Sequence, residues 1–447
     1  MAGSASPTLR GAWFGTGAPN RRFLVLASVA AALGFALACW LVDAIAHARV
    51  YGNVDDTLWV RPYWLDARLF LDGDVPYRNF PLEYPPLSLP VFILPALPPF
   101  GINYAVYRGW FEVLIAVIGM LIVPTVAWTL AWIGARRGQI VAALAAVAVS
   151  PVLTGPAMIA RFDLWPALLA AVALAAMVAG RSRIAFVVLA LGFLAKVYPG
   201  FLLPIFLIHA WRTAGRREAA IGLGLFVGVV AAGLGPFIAN SPDGALAPFT
   251  RTLDRPLQVE TLGASIMALI HTVAGTPLAR PSDAFGSSNI TGLVADNVAR
   301  SQTLVLAACF AGIWLAMTRL PASPRTLVSA VGLAIVATVT FGKVLSPQYV
   351  TWLIPAVAVL VPARGVRVLA LLAASLLLTT LYFPAQYGAY VHSYELKATL
   401  LVVSRNLVLV ALAAYLLVAD GTLPTVRRLW QERLEAWRPP SRPSPGA

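Results

Sequence analysis

Long apolar runs, separated by short polar connections rich in arginine, occupy most of the chain. A helix crossing the hydrocarbon core needs roughly 17–25 predominantly apolar residues, because its backbone amides find no water there. Runs that meet or approach this length lie at 23–42, 105–133, 138–153, 164–180, 184–195, 199–211, 219–239, 302–318, 326–342, 348–362, 367–383 and 398–419. The pattern predicts an all-α polytopic integral membrane bundle of about twelve transmembrane helices, within a range of roughly ten to thirteen. Segments 184–195 and 199–211 are too short to cross alone and are read as half-helices buried in the bundle.

Two connections are much longer than the rest, 43–104 and 240–301, and long structured loops are usually functional. The first carries eight prolines between Pro76 and Pro99, so its apolar piece 87–100 is predicted as a re-entrant or interfacial helix, not a span. The second holds an apolar patch, 262–275, predicted to lie at the interface. The organisation expected is a cytoplasmic tail 1–22, a bundle 23–419 including both loops, and a cytoplasmic tail 420–447 that ends disordered. Arg21-Arg22 ahead of an apolar run resembles a twin-arginine signal, yet Phe23–Val42 is 20 residues long and suits a retained first span. No internal repeat is evident.

Composition sharpens this picture. Hydrophobic residues make up 59% and charged residues 12% of the 447, too little polar surface for a soluble enzyme, a nucleic-acid-binding module or a disordered chain. The net charge of +14 reflects topology: nineteen bases against four acids fall in the segments assigned to the cytoplasm, with thirteen against fourteen opposite. That is the positive-inside pattern, with both long loops facing outward, and it predicts no nucleic-acid partner. Cys39 and Cys309 both lie in apolar segments and read as small buried hydrophobes.

Polar chemistry collects in the long loops. Seven of nineteen acids sit in the first: Asp43, Asp55, Asp56, Asp66, Asp72, Asp74 and Glu83, interleaved with Trp59, Tyr63, Trp64, Tyr77, Phe80 and Tyr84. Aromatic residues with polar tips suit both the membrane interface and stacking on sugar faces. Arg161 in "ARFDLWP", Lys196 in "LAKVYPG" and Lys343 in "FGKVLSPQYV" fall at span mouths on the same side, and three cations on one face point to an anion site. Arg255 in the second loop adds to it, with Gln258 and Glu260 close behind. Two readings stay open for several of these groups. Glu83 with Arg78, and Asp163 with Arg161, suit local ion pairs as well as substrate contacts, and Gln348 and Tyr349 suit interfacial anchors or sugar contacts. Arg405 in the last span is expected to pair inside the bundle, with Glu112 as candidate partner.

The blocks "DTLWVRPYW…DGDVPYRNFPLEYPPLSLPVF", "RFDLWPALL", "AKVYPGFLLP", "RPLQVETLGAS" and "KVLSPQYVTWLIP", in this order from about residue 55 to 355, resemble bacterial glycosyltransferases of family 87 in the C-type superfamily. The resemblance implies a multi-helix bundle whose active site lies at the outer face of a bacterial cytoplasmic membrane. It implies a polyprenyl-phosphate sugar as donor, mannose by default and arabinofuranose as runner-up. A hydroxyl of a glycolipid or glycan is the implied acceptor. The family's catalytic carboxylate follows the first span and maps onto Asp56, with Asp55 directly beside it. By the same resemblance, Asp55, Arg78, Glu83, Tyr84, Arg161, Asp163, Lys196, Tyr198, Arg255, Gln258, Glu260, Lys343 and Gln348 are substrate-binding candidates.

The donor in such a transfer is a phosphate diester whose departing prenyl phosphate is only weakly basic, so no general acid is obligatory. The incoming hydroxyl needs a base, worth roughly 10²–10⁴-fold, and a single base opposite the leaving group predicts inversion. No cofactor is required, although Asp55 and Asp56 could hold a divalent cation. No strand–Gly-rich–helix unit for a nucleotide sugar is present, which favours a lipid donor. The alternative is a transporter or flippase of a lipid-linked sugar. Against it, charge collects in the loops and not at midplane.

Overall fold

The computed structural model describes residues 19–47, 60–98, 103–279, 281–284 and 286–419. Asp55, Asp56 and the tails therefore lie outside the described residues, as does Trp59.

Apolar composition converts into helix almost throughout. Seven helices are long and apolar enough to cross a membrane: Arg21–Ala46, Tyr104–Trp132, Arg137–Thr154, Arg216–Asn240, Leu293–Arg319, Pro324–Phe341 and Leu396–Leu417. An eighth span is made if Arg367–Tyr382 is taken with Tyr387–Ser393, which bends away from it by 71°. The chain is an all-α polytopic membrane protein. The remaining runs form shorter pieces. Leu164–Val178 and Ser182–Ala195 are short apolar helices. A break at Lys196 and Val197 leads into a 3₁₀ turn, Tyr198–Leu202, and the helix Leu203–Ala214. The expected span 348–362 is three fragments, Pro347–Trp352, Leu353–Ala358 and Val361–Arg364. Proline explains much of this fragmentation: Pro199, Pro347, Pro355 and Pro362 each remove a backbone donor. Such interruptions are tolerated in a bilayer only where protein surrounds them, and Leu353–Ala358 is buried over its whole length.

Packing sorts the helices into core and periphery. The first span packs on Tyr104–Trp132 and Arg137–Thr154, Leu164–Val178 packs on Ser182–Ala195, and Arg367–Tyr382 packs on the last span. Pro324–Phe341 is central, with 67% of its apolar window buried, whereas Arg216–Asn240 buries only 17% and presents its side chains outward. Those exposed aliphatic faces are what a lipid-facing helix requires.

Both long connections fold back onto the same end of the bundle. In the first, Arg61–Leu71 is a helix, followed by the short helical stretch Pro86–Ala96. In the second, Pro242–Asp254 precedes Leu262–Ala274, and a three-stranded antiparallel sheet pairs Ser287–Ile290 with Leu257–Gln258 on one edge and Ser282–Ala284 on the other. The loops meet at Tyr77, which takes a left-handed φ of 69°. Its carbonyl accepts from Ser241 Oγ at 3.0 Å, its hydroxyl donates to the Tyr84 carbonyl at 2.7 Å, and its ring meets Phe237 edge-on at 5.3 Å.

Gly244 sits against this junction: a Cβ there would stand 2.1 Å from the Tyr77 carbonyl oxygen. Gly244→Ala must push the two loops apart and is expected to destabilise the protein by about 1–3 kcal/mol. Gly235→Ala, where nothing lies within 4 Å, serves as the neutral control. Thermal unfolding of both variants in detergent checks this; equal midpoints for the two would show that the junction does not hold the loops.

Candidate active site

Four breaks in the helical pattern converge where the loops gather; three deliver residues singled out above, and the fourth adds a tryptophan. Asp163 precedes Leu164–Val178, Lys196 ends Ser182–Ala195, Tyr84 comes from the first loop, and Trp352 closes the 3₁₀ turn Pro347–Trp352. Lys196 Nζ donates to Asp163 Oδ1 at 2.6 Å, and Trp352 Nε1 donates to the same oxygen at 2.8 Å. Both ionic side chains are buried, at 10% and 2% exposure. The rings of Phe162 and Tyr349 lie 4.9 Å from Lys196 Nζ, with Trp352 at 5.3 Å and Tyr84 at 5.4 Å. An ammonium desolvated among aromatic faces gains about 2 kcal/mol or more from their quadrupoles, which helps offset the cost of its burial.

The aromatic wall follows from local backbone geometry. In a 3₁₀ turn, residues i and i+3 eclipse, so Tyr349 and Trp352 stack at 4.1 Å and 21°. Tyr198, from the other 3₁₀ turn, stacks on the opposite face of Trp352 at 4.0 Å and 10°. A second cluster underlies Tyr84: Tyr63 stacks on Phe92 at 4.4 Å, and Phe162 meets Tyr84 edge-on at 4.6 Å. Arg161 donates to the Tyr63 hydroxyl at 3.4 Å and lies within electrostatic range of Lys196, Tyr84 and Glu260. It stands between the aromatic box and the second loop.

That loop contributes the other half of the site. Arg255 bridges to Glu83 at 2.7 Å, joining the two long connections. Gln258 donates from its backbone to the Lys343 carbonyl at 3.1 Å and from its side chain to Ser346 Oγ at 2.9 Å. Glu260 is 1% exposed. Burial pushes its carboxyl up to about 7, against the pull of Arg405, Tyr382, Arg161 and Gln258. Burial likewise raises Asp66, on Arg61–Leu71, to about 7, with the neighbouring Glu83 carboxylate adding to the shift. Burial lowers the Lys343 ammonium from its usual value, partly countered by Asp254. Gln348 is buried in its 3₁₀ turn, where its carbonyl accepts from Thr351 Oγ1 at 2.7 Å.

Tyr84, Arg161, Asp163, Lys196, Tyr198, Arg255, Gln258, Glu260 and Lys343 thus belong to one constellation, while three expected pairings are replaced by others. Glu83 pairs with Arg255, not with Arg78, which is exposed. Asp163 pairs with Lys196, not with Arg161. Glu112 takes Arg108, one helical turn away at 2.9 Å, and Arg405 donates instead to the Glu260 carbonyl. Which partner each ion takes depends on how the helices and loops lie side by side, which distance along the chain does not reveal. The motifs do not single out Trp352 or Phe162 as site residues, and they give Arg405 only as an internal ion pair. The i, i+3 spacing of Tyr349 and Trp352 beside Pro347 is the signal that could have found the indole. Among the described residues, no group of three or more His, Cys, Asp or Glu side chains could hold a metal.

Because Asp163 and Lys196 are buried together, losing one strands the other. Lys196→Met is expected to cost about 3–5 kcal/mol, and Asp163→Asn in the same chain should restore at least half of it. Unfolding of both variants in detergent measures the coupling; a double variant as unstable as the sum of the singles would contradict it.

Two comparisons bear on what this arrangement does. Among curated proteins, none matches the sequence. The family model described as Glycosyltransferase family 87 matches residues 82–347, well over half of the chain, and its span takes in Tyr84, Asp163, Lys196, Glu260 and Lys343. On that match, and with seven to eight membrane-length apolar helices beneath the site, the chain belongs to glycosyltransferase family 87 and is a membrane glycosyltransferase.

Proposed function

We propose that this enzyme moves a sugar, mannose in the first instance, from a polyprenyl-phosphate donor to a hydroxyl of a glycolipid or glycan at the outer face of a bacterial cytoplasmic membrane. The observation that carries the reading is the siting of the cations. Arg161, Lys196, Arg255 and Lys343 gather at the end of an apolar bundle where both long loops close over it. A donor with a prenyl tail and a phosphate head needs that juxtaposition. Its tail stays among helices that expose aliphatic side chains, while its phosphate reaches cations at the helix ends.

In this scheme Asp56 takes the proton of the acceptor hydroxyl as its oxygen attacks the anomeric carbon. The bond to the phosphate oxygen breaks on the opposite side, giving inversion. Cations near the departing phosphate stabilise the charge that builds there in an oxocarbenium-like transition state. The phosphate leaves as prenyl phosphate, a weakly basic monoester anion, and the scheme runs without an obligatory metal.

Purified protein incubated with defined polyprenyl-phosphate sugars and candidate acceptors, with products read by mass spectrometry, is the direct test. Mannosyl transfer is expected, and arabinosyl transfer in its place would change the sugar but not the scheme. Asp56→Asn should bind donor normally and lose about 10²–10⁴-fold in rate, with Asp55→Asn losing less. Full activity in Asp56→Asn would remove the base.

Lys343→Ala should raise the KM for the donor several-fold while leaving the KM for the acceptor unchanged. Donor titrations at fixed acceptor report this, and an unaltered donor KM would take Lys343 out of the phosphate site.

A further inference from the structure

The last span carries an arginine that the scheme above does not use. Arg405 is wholly buried, and its guanidinium donates to the Glu260 carbonyl and to Asn406 Oδ1. Asn406 Nδ2 reaches the same carbonyl at 3.1 Å and Ser265 Oγ at 2.9 Å. Two consecutive side chains of a membrane span thereby clamp one peptide of the second loop. Nearby, Tyr390 donates to the Val259 carbonyl at 2.7 Å, fixing the adjacent peptide.

Around the clamped residue, hydrogen-bonding capacity goes unused. Gln258 Oε1, Glu260 Oε1, Tyr382 Oη and Arg405 Nη1 are all buried without a hydrogen-bond partner. The side chains are mutual neighbours. Gln258 Nε2 lies 3.3 Å from Glu260 Oε2, the Tyr382 hydroxyl stands within reach of the Glu260 carboxyl without an aligned hydrogen bond to it, and the Arg405 charge acts on the same carboxyl. Their residues are 2%, 1%, 0% and 0% exposed. A buried polar atom without a partner is costly, and four at one place mark a position where a polar ligand group completes the set.

The chemistry of the four atoms limits what that group can be. Two are acceptors and two are donors, so the ligand must both donate and accept. A phosphate only accepts, and it would meet the Glu260 carboxyl oxygen. The charges of Arg405 and Glu260 offset each other, which suits an uncharged ligand. Adjacent hydroxyl groups on a sugar ring meet both conditions. We infer that Gln258, Glu260, Tyr382 and Arg405 form a subsite for the hydroxyl groups of a neutral sugar ring, separate from the cations that serve the phosphate. The inference rests on the transfer reading above and names which side chains distinguish one sugar from another.

Tyr382→Phe is the decisive variant, because it deletes one unused donor and leaves the volume of the ring unchanged. The measurement is thermal unfolding of the full-length protein in detergent, alone and with rising concentrations of methyl mannopyranoside, methyl glucopyranoside and methyl arabinofuranoside. The wild-type midpoint should rise with at least one glycoside. In Tyr382→Phe the sugar-free midpoint should be kept, while the half-effective concentration rises about tenfold. A transfer assay with the same variant separates the two sources of the ring: a raised KM for the lipid-linked donor places the donor sugar here, and a raised KM for the acceptor places the acceptor sugar. An unchanged half-effective concentration in Tyr382→Phe overturns the subsite. So does a wild-type midpoint that no glycoside moves, the result expected if internal water alone fills the position. If the glycoside effect is present and weakened by Tyr382→Phe while no polyprenyl-phosphate sugar supports transfer, the subsite stands and the donor assignment falls.

Discussion

A lysine and an aspartate brought out of water attract each other strongly, and neither is stable there alone. In this enzyme the contact between Lys196 and Asp163 is also a splice. It joins the end of one short helix to the start of another, and through the indole N–H of Trp352 it takes in a third broken segment. Helix interruptions inside an apolar bundle expose backbone groups that hydrocarbon cannot satisfy. Bringing three of them to one buried ion pair, walled by four aromatic rings, lets the protein keep irregular backbone inside an apolar bundle. The loops add a second tie, between Arg255 and Glu83, so both long connections are held over the same place.

The site that results is divided by charge. On one side stand the cations Arg161, Arg255 and Lys343. On the other, Glu260 and Arg405 compensate each other, and buried hydrogen-bonding atoms beside them stay unused. A phosphosugar has this same division between its anionic head and its hydroxylated ring.

Much of this was legible in the chain itself, and the parts that were not share a cause. Apolar runs set by the thickness of a bilayer give the helices at nearly the expected places, and Lys196 indeed ends a half-helix that cannot cross alone. The motif blocks, in their order along the chain, point to family 87, and the family match agrees with them. Partner choice was harder. Glu83 lies five residues from Arg78 and 172 from Arg255, yet it pairs with the distant one. Arg405 likewise reaches across 145 positions to Glu260. Such contacts depend on how helices are arranged side by side, which apolar periodicity leaves open. The run 348–362 was read as one span because its hydropathy is continuous. Pro355 and Pro362 divide it into pieces that only surrounding protein can support.

The turn that carries Tyr349 and Trp352 shows how much depends on helical pitch. At three residues per turn the two rings overlie one another, whereas at 3.6 they would diverge by about 60° around the axis. Rewinding that single turn would therefore unstack Tyr349 from the indole and swing the indole N–H away from Asp163, although no side chain had changed. The pitch of six residues acts as a mechanical register for the charge balance at the heart of the enzyme.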